Sequence, residues 1–364
     1  MNDGNGNTNG RRVILRDVAE RAGVSIATVS KVANGRGEVS RDTRNRVERA
    51  MADLGYFQSS PHKAGSSPLI EVAFHHFDTV WTLDIMRGIA GPTQSAGVRS
   101  VVSLLDGDDA QMAAWVEEVV ARRPIGVIVV FSKPTESLGR RFASRNIPCV
   151  FIDPLGNPES GIMSVQSDNW SGGLYAGRHL LALGHRRIAT ITGPDNAMCA
   201  NARLAGFRSA FTEFDASFDP TMVRHGEFTA DSGERLAREL LGGDVMRADR
   251  RPTAIFTQSD EIALGVYRAA AALDLRIPDD LSVVGFDDVR TSITLMPALT
   301  TVSQPLARMG EAAARMVMER RSPDADPRVI LPTELVVRNS TAAPGVQAPS
   351  RADSLGAKAL AMTS

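Results

Sequence analysis

Along most of the chain, short apolar runs alternate with longer amphipathic stretches. LIEVAF, RSVVSLL, GVIVVF and PCVFID are nearly continuous apolar segments of strand length. Such runs predict parallel strands buried on both faces. Between them, residues 84–96, 109–122 and 135–145 read as helices. The alternation resumes with RIATITG, VRHGEF, TAIFTQS and LSVVGFDD, with helical stretches near 171–183, 201–214, 230–241 and 261–273. Two sequential sets of this kind predict an α/β body, residues 69–340, of two doubly wound parallel-sheet lobes. Ligands in such folds bind at the carboxyl ends of strands. Beyond LSVVGFDD come PALTTVSQPLARMGEAAARMVMERR and RVILPTELVVRNS. The late helix is assigned to the first lobe, so the chain is expected to cross between lobes more than once. A cleft flanked by crossovers can close as a hinge.

Residues 13–58 follow another pattern. Asp17 to Ala22 reads as a short helix with Val18, Ala19 and Ala22 on one side. Gly23 supplies a turn that a residue with a Cβ would resist. Ser25 caps a second helix that turns Val29 and Val32 inward and stops at Asn34-Gly35. Ser40 caps a third, with Val47, Ala50, Met51 and Leu54 at i, i+3, i+4 and i+7 and Gly55 as its stop. This is the plan of a small all-α helix-turn-helix head. SSPHKAGSSP, residues 59–68, holds no large apolar residue and reads as a linker. Residues 1–12 are a polar extension expected to be disordered. The Pro/Ala/Ser-rich tail 341–364 lacks a sustained heptad and is also expected to be disordered.

Charge sharpens this division. The 364-residue chain is nearly neutral at −1, yet residues 11–63 hold 11 Lys/Arg against 6 Asp/Glu. A basic head on an acidic body suits a head that meets a polyanion, although a solvated Arg-rich face would look the same. Two cysteines, Cys149 and Cys199, make no disulfide framework. The N-terminus lacks the apolar core of an export signal, and no apolar run approaches membrane-spanning length. A cytoplasmic, nucleoid-associated protein without membrane contact is expected.

The second helix carries the head's chemistry. Its outward residues Ser25, Ile26, Ala27, Thr28, Ser30 and Lys31 are mostly small, hydroxylic or basic. Small side chains let a helix sit deep in the major groove. Hydroxyls and amides at its start hold phosphates, and lysine reaches guanine acceptors. In the body, Asp287 follows the apolar strand SVVGF at its carboxyl end, where a carboxylate can accept sugar hydroxyls. Arg203 lies in RLAGF, and its guanidinium fork suits polyol or carboxylate oxygens. His75, His76 and Asp78 do not form a metal site, because adjacent strand residues point to opposite faces. No phosphate loop, GxGxxG turn, GxSxG elbow or HExxH motif occurs. No cofactor is expected and no enzyme.

RDVAERAGVSIATVSKVANG followed by EVSRDTRNRVERAMADLGY resembles the DNA-binding domain of the lactose/galactose repressor (LacI/GalR) family, over about Leu15 to Tyr56. DNWSGGLYAGRHLLALGHRRIATITG, RLAGF, RPTAIFTQSDEIALGVYRAAAALDLRIPDDLSVVGFDD and PALTTVSQP resemble the same family's body, which is of periplasmic-binding-protein type. The resemblance implies base reading by Ile26, Ala27 and Lys31, and phosphate positioning by Ser25, Thr28, Ser30, Asn34 and Thr43. It implies effector contact at Arg203 and Asp287 and an aromatic wall from Trp81 and Phe228. Ser132, Asp168, Cys199, Asn201, Ser259 and Asp260 fall where the cleft is lined or braced.

The function expected is a transcriptional regulator, of repressor type. A homodimer would meet a pseudo-palindromic double-stranded operator, with a sugar as effector between the lobes. The alternatives are a sugar receptor without a DNA role, a regulator answering to a purine or sugar phosphate, and an enzyme on the same fold. One stretch departs from the family pattern. Between Tyr56 and Leu69 there is no leucine, the usual minor-groove wedge. The linker is therefore expected to order weakly on DNA and to bend the operator less than usual.

Overall fold

The structure is a computed structural model of the chain. It describes residues 14–33, 39–54, 68–74, 79–105, 109–130, 136–156, 162–242, 251–319 and 327–345. The linker 59–67, the extension 1–12, His75, His76, Asp78 and the tail beyond 345 lie outside the described residues. The chain divides into two compact units, residues 1–66 and 67–364.

The first unit holds α1 (Leu15–Ala22), α2 (Ile26–Ala33) and α3 (Arg41–Asp53). Val18, Ala19, Ala22, Val29, Val32, Val47 and Ala50 form its buried core, so each helix turns the expected stripe inward. Gly23 ends α1 in the left-handed conformation at φ 64°, which favours a residue without a Cβ.

The second unit contains two sheets. The first comprises β1 (Leu69–Phe74), β2 (Arg99–Leu104), β3 (Gly126–Val130), β4 (Cys149–Ile152) and β5 (Met163–Ser167), linked by α4 (Val80–Ser95), α5 (Asp109–Arg122) and α6 (Glu136–Ala143). The chain then builds a second lobe from α7 (Asn169–Ala182), β6 (Ile188–Thr192), α8 (Met198–Glu213), β7 (Val223–His225), α9 (Ala230–Leu241), β8 (Ala254–Thr257), α10 (Asp260–Ala272), β9 (Ser282–Asp287), α11 (Arg290–Thr294) and β10 (Thr300–Ser303). It returns for α12 (Leu306–Met318) and β11 (Arg328–Leu331), then ends in β12 (Glu334–Val336). The sheet orders are β2-β1-β3-β4-β5-β11 and β7-β6-β8-β9-β10-β12. Both contain the doubly wound 2-1-3-4-5 order, whose switch point lies between the first and third strands.

The late helix α12 packs Leu306, Met309, Ala313 and Val317 into the core of the first lobe, as its sequence position suggested. The chain crosses between lobes after β5, after β10 and after β11. Two expectations need correction. RSVVSLL is not buried on both faces: β2 is an edge strand with Val101, Val102 and Leu104 partly exposed. An apolar run reports a surface that avoids water, not what covers it. The second sheet is also not wholly parallel, because β12 runs antiparallel to β10.

Helices α7 and α8 meet through glycine. A Cβ on Gly206 would lie 1.8 Å from the Trp170 carbonyl oxygen, and one on Gly173 would lie 2.0 Å from that of Arg203. Backbone closes both gaps, so nothing can swing aside. Gly206→Ala is expected to cost about 3 kcal/mol, read from the urea midpoint. A change below about 0.5 kcal/mol, within the range of an ordinary surface substitution, would show that the helices separate freely.

Candidate DNA-reading helix and effector cleft

In the head, the Ser25 hydroxyl accepts a hydrogen bond from the Thr28 backbone N–H at 3.1 Å and caps α2. Ser40 accepts from the Thr43 N–H at 3.4 Å and caps α3. With Val29 and Val32 buried, Ile26, Ala27 and Lys31 are exposed beside Ser25, while Thr28, Ser30 and Thr43 are half-buried. Ile26 is 46% exposed, unusual for a large aliphatic side chain in so small a domain. The helix thus offers water an apolar tip, a methyl and an ammonium, which are groups that read base edges. Asn34 lies outside the described residues.

In the body, strand ends and crossovers converge. Asp287 ends β9, and Arg203 rises from α8. Both are buried, at 7% and 3% exposure, and their charged atoms stand 3.7 Å apart. The Arg203 guanidinium lies 3.7 Å from the centre of the Phe286 ring and 5.8 Å from that of Phe228. Its Nε donates to Asn169 Oδ1 at 2.8 Å, and another nitrogen donates to the Gln258 carbonyl oxygen. Asp153 follows β4 and is also buried.

Asp287 and Asp153 therefore gather near one guanidinium, with Asp260 close to Asp287. Burial pushes Asp287 up from 3.8 to about 7, against the pull of Arg203 and a hydrogen bond from Gln304. Asp153 is raised by burial, with Arg203 opposing. Asp260 is raised well above the usual range by burial and by the charge of Asp287. The Cys199 thiol is pushed up to about 12 by burial and is neutral.

The remaining expected residues divide by their partners. Cys199 packs with Ala197, Ala200 and Phe228 against Leu155 of the first lobe, where the Met198 N–H donates to the Leu155 carbonyl oxygen at 3.0 Å. Trp81, half-buried, packs on the first-lobe core beyond the carboxyl end of β1. Asp168 caps α7 by accepting from the Ser171 N–H at 3.0 Å. Ser259 caps α10 by accepting from the Ile262 N–H at 3.1 Å. Asp260 accepts from Thr301 at 2.6 Å and from the Val289 N–H at 2.9 Å. Asn201 is exposed and donates to the Asp195 carbonyl oxygen. These four have structural partners that occupy them, whereas Arg203, Asp287, Cys199 and Phe228 cluster. Ser132 lies outside the described residues.

Asp153, Asn169, Gln258 and Gln304 are not among the residues that the sequence singles out. Asp153 carries the same signal as Asp287, an aspartate closing an apolar strand. The other three are neutral amides with no sequence signal. Gln304 matters for coupling. It donates to Asp287 Oδ1 at 2.5 Å and pairs with the Ser167 hydroxyl at 2.7 Å, so a cleft carboxylate is tied to two crossovers. The third joins them: the Asp168 N–H donates to the Leu331 carbonyl oxygen at 2.8 Å, and Thr333 donates to the Asp168 carbonyl oxygen at 3.1 Å.

A family model for bacterial regulatory proteins, lacI family, matches residues 14–59, and one for a periplasmic binding protein-like domain matches residues 178–341. The lactose operon repressor of Escherichia coli (strain K12) is 34% identical over 345 residues, which is 93% of each chain. The chain belongs to the lacI family. The HTH-type transcriptional regulator CelR of Thermobifida fusca is 33% identical over 91% of this chain and 98% of its own. The repressor PurR of Klebsiella pneumoniae (strain 342) is 32% identical over 84% and 89%. Among solved structures, a CelR–cellobiose complex aligns with TM-score 0.67 at 31% identity, covering 90% of this chain and all of that one. A lac repressor dimer bound to operator and the anti-inducer ONPF aligns with TM-score 0.67 at 30% identity, covering 92% and all of that chain.

Proposed function

We propose that this lacI-family protein is a transcriptional repressor that binds a pseudo-palindromic operator as a homodimer and answers to a sugar held between its lobes. One observation carries the reading. A single chain joins an exposed recognition helix to a cleft in which the buried carboxyls of Asp153 and Asp287 lie near one arginine. Carboxylates accept hydroxyl protons, and a guanidinium donates in return, so a polyol satisfies both. Among the described residues, Arg203 is a single cation in this cluster, and a sugar phosphate calls for more positive charge. Ile26, Ala27 and Lys31 are the base-reading set, and Arg203 and Asp287, with Phe228 beside them, are the effector set.

Two-fold symmetry in the protein calls for two half-sites in the DNA. The exposed edge strand β2 leaves Val101, Val102 and Leu104 for a second subunit to cover. We assign no catalytic role, and we place the protein in the cytoplasm with the DNA it reads.

The test is fluorescence anisotropy of a labelled operator duplex across a salt series, with and without sugar. The affinity is expected to fall steeply as salt rises and to change when sugar is added. Sugar binding without any salt-dependent DNA binding would instead describe a receptor.

A further inference from the structure

Gln258 is fully buried, yet its side-chain Nε2 has no hydrogen-bond partner among the described residues. Leaving a buried amide donor unpaired is costly, so a native protein that keeps one needs a reason. The other groups of this residue are all engaged. Its backbone N–H donates to the Ile191 carbonyl oxygen at 3.0 Å, and its carbonyl oxygen accepts from Arg203. Its Oε1 accepts from the Gly193 N–H at 3.4 Å, which fixes the amide so that Nε2 is the end left over.

The location supplies the reason. Gln258 directly follows β8, and Gly193 directly follows β6. These are the first and third strands of the second lobe's order, and a doubly wound sheet takes its ligand at their carboxyl ends. The Phe228 ring fills the space beside Gly193 that a Cβ would claim, so the aromatic wall adjoins the amide. Arg203, bonded to the Gln258 carbonyl oxygen, places the ion pair with Asp287 in the same group.

We propose that Gln258 is a specificity-determining effector contact, whose Nε2 donates to one hydroxyl or ring oxygen of the bound sugar. The inference rests on the sugar reading above. An ionised carboxylate only accepts from the ligand, and a protonated one loses its O–H donor as pH rises. Arg203 already donates to Asn169 and to the Gln258 carbonyl. Gln258 therefore adds a neutral donor that reads one ligand oxygen by its position. A sugar lacking that oxygen leaves the donor unpaired in the complex and is rejected.

The test uses the full-length protein and Gln258→Leu, titrated calorimetrically with cellobiose, lactose, galactose and ribose as probes. The single-deoxy analogues of whichever sugar binds best follow. Wild type is expected to lose about tenfold or more in affinity at one deoxy position. Gln258→Leu is expected to bind the parent sugar about tenfold more weakly and to be indifferent to that same deletion. Gln258→Glu keeps an acceptor for the Gly193 N–H while removing the donor. It gives the same indifference should the leucine variant not fold.

Equal deoxy penalties in wild type and variants would overturn the proposal and leave Gln258 as a brace for Gly193. If no probe sugar binds wild type, the sugar reading itself falls and this inference falls with it.

Discussion

Arg203→Met is expected to raise the dissociation constant for sugar at least ~100-fold and to destabilise the body by about 3–5 kcal/mol. Methionine keeps much of the stem that packs against the Phe286 ring and removes the guanidinium. The loss then falls on charge and hydrogen bonding. Arg203 is the cation that opposes the raised pKa of both Asp153 and Asp287. Without it, buried carboxylates must take up protons or draw in water. Asn169 Oδ1 and the Gln258 carbonyl oxygen also lose their donor. Removing one partner of a buried charged network costs far more than the network's net contribution, because the desolvation of the other partner is no longer offset. Isothermal titration and urea unfolding would measure the two effects. A variant of wild-type stability that still binds sugar would show that Arg203 is a bystander. Operator binding in the absence of sugar reports on the head and serves as the control for folding.

The second large effect is on pH. Asp287 holds its proton to about 7 in the folded chain, against an ordinary value of 3.8. Between those values the folded state carries more protons than the unfolded state. Stability from this group is therefore full below about pH 4, declines as pH rises to about 7, and is level above. The slope from one such proton is at most about 1.4 kcal/mol per pH unit. Asp287→Asn cannot titrate, so its urea midpoints are expected to show a shallower decline over that interval. Arg203, Asp153, Glu261 and the coupled Asp260 all bear on this carboxylate. The difference between wild type and the asparagine variant isolates Asp287 from them.

Sugar affinity runs the other way. An ionised Asp287 accepts hydroxyls better than a protonated one, so binding strengthens as pH rises to about 7. Parallel stability profiles for the two proteins would refute the assignment.

Much of the site was legible because strand ends announce themselves. An aspartate closing the run SVVGF stands at the carboxyl edge of a sheet wherever that run is a strand, and the structure puts Asp287 there. The same signal in PCVFID marks Asp153. Asp168, Ser259 and Asn201 show the limit of position as a guide, since each stands near the cleft while its side chain serves a cap or a loop. Gln258 and Gln304 were illegible for a different reason. A glutamine has no period, charge or spacing to mark it, and its meaning depends on which atoms it meets.

The sequence by itself determined the helical head, the alternating strands and helices of the body, and the residue types available for binding. Local hydrophobic periodicity and capping chemistry act over a few residues, so they are written in neighbouring letters. The tertiary structure decided which strand became an edge, which strand ran antiparallel, and which carboxylates share one arginine. It also decided that Gln304 and Asp168 tie the three crossovers to one another and to the cleft. The ties between crossovers join residues more than a hundred positions apart, as Ser167 to Gln304 and Asp168 to Thr333 do. Burial and hydrogen-bond satisfaction become defined only when distant segments close around one another, and no run of neighbouring residues records them.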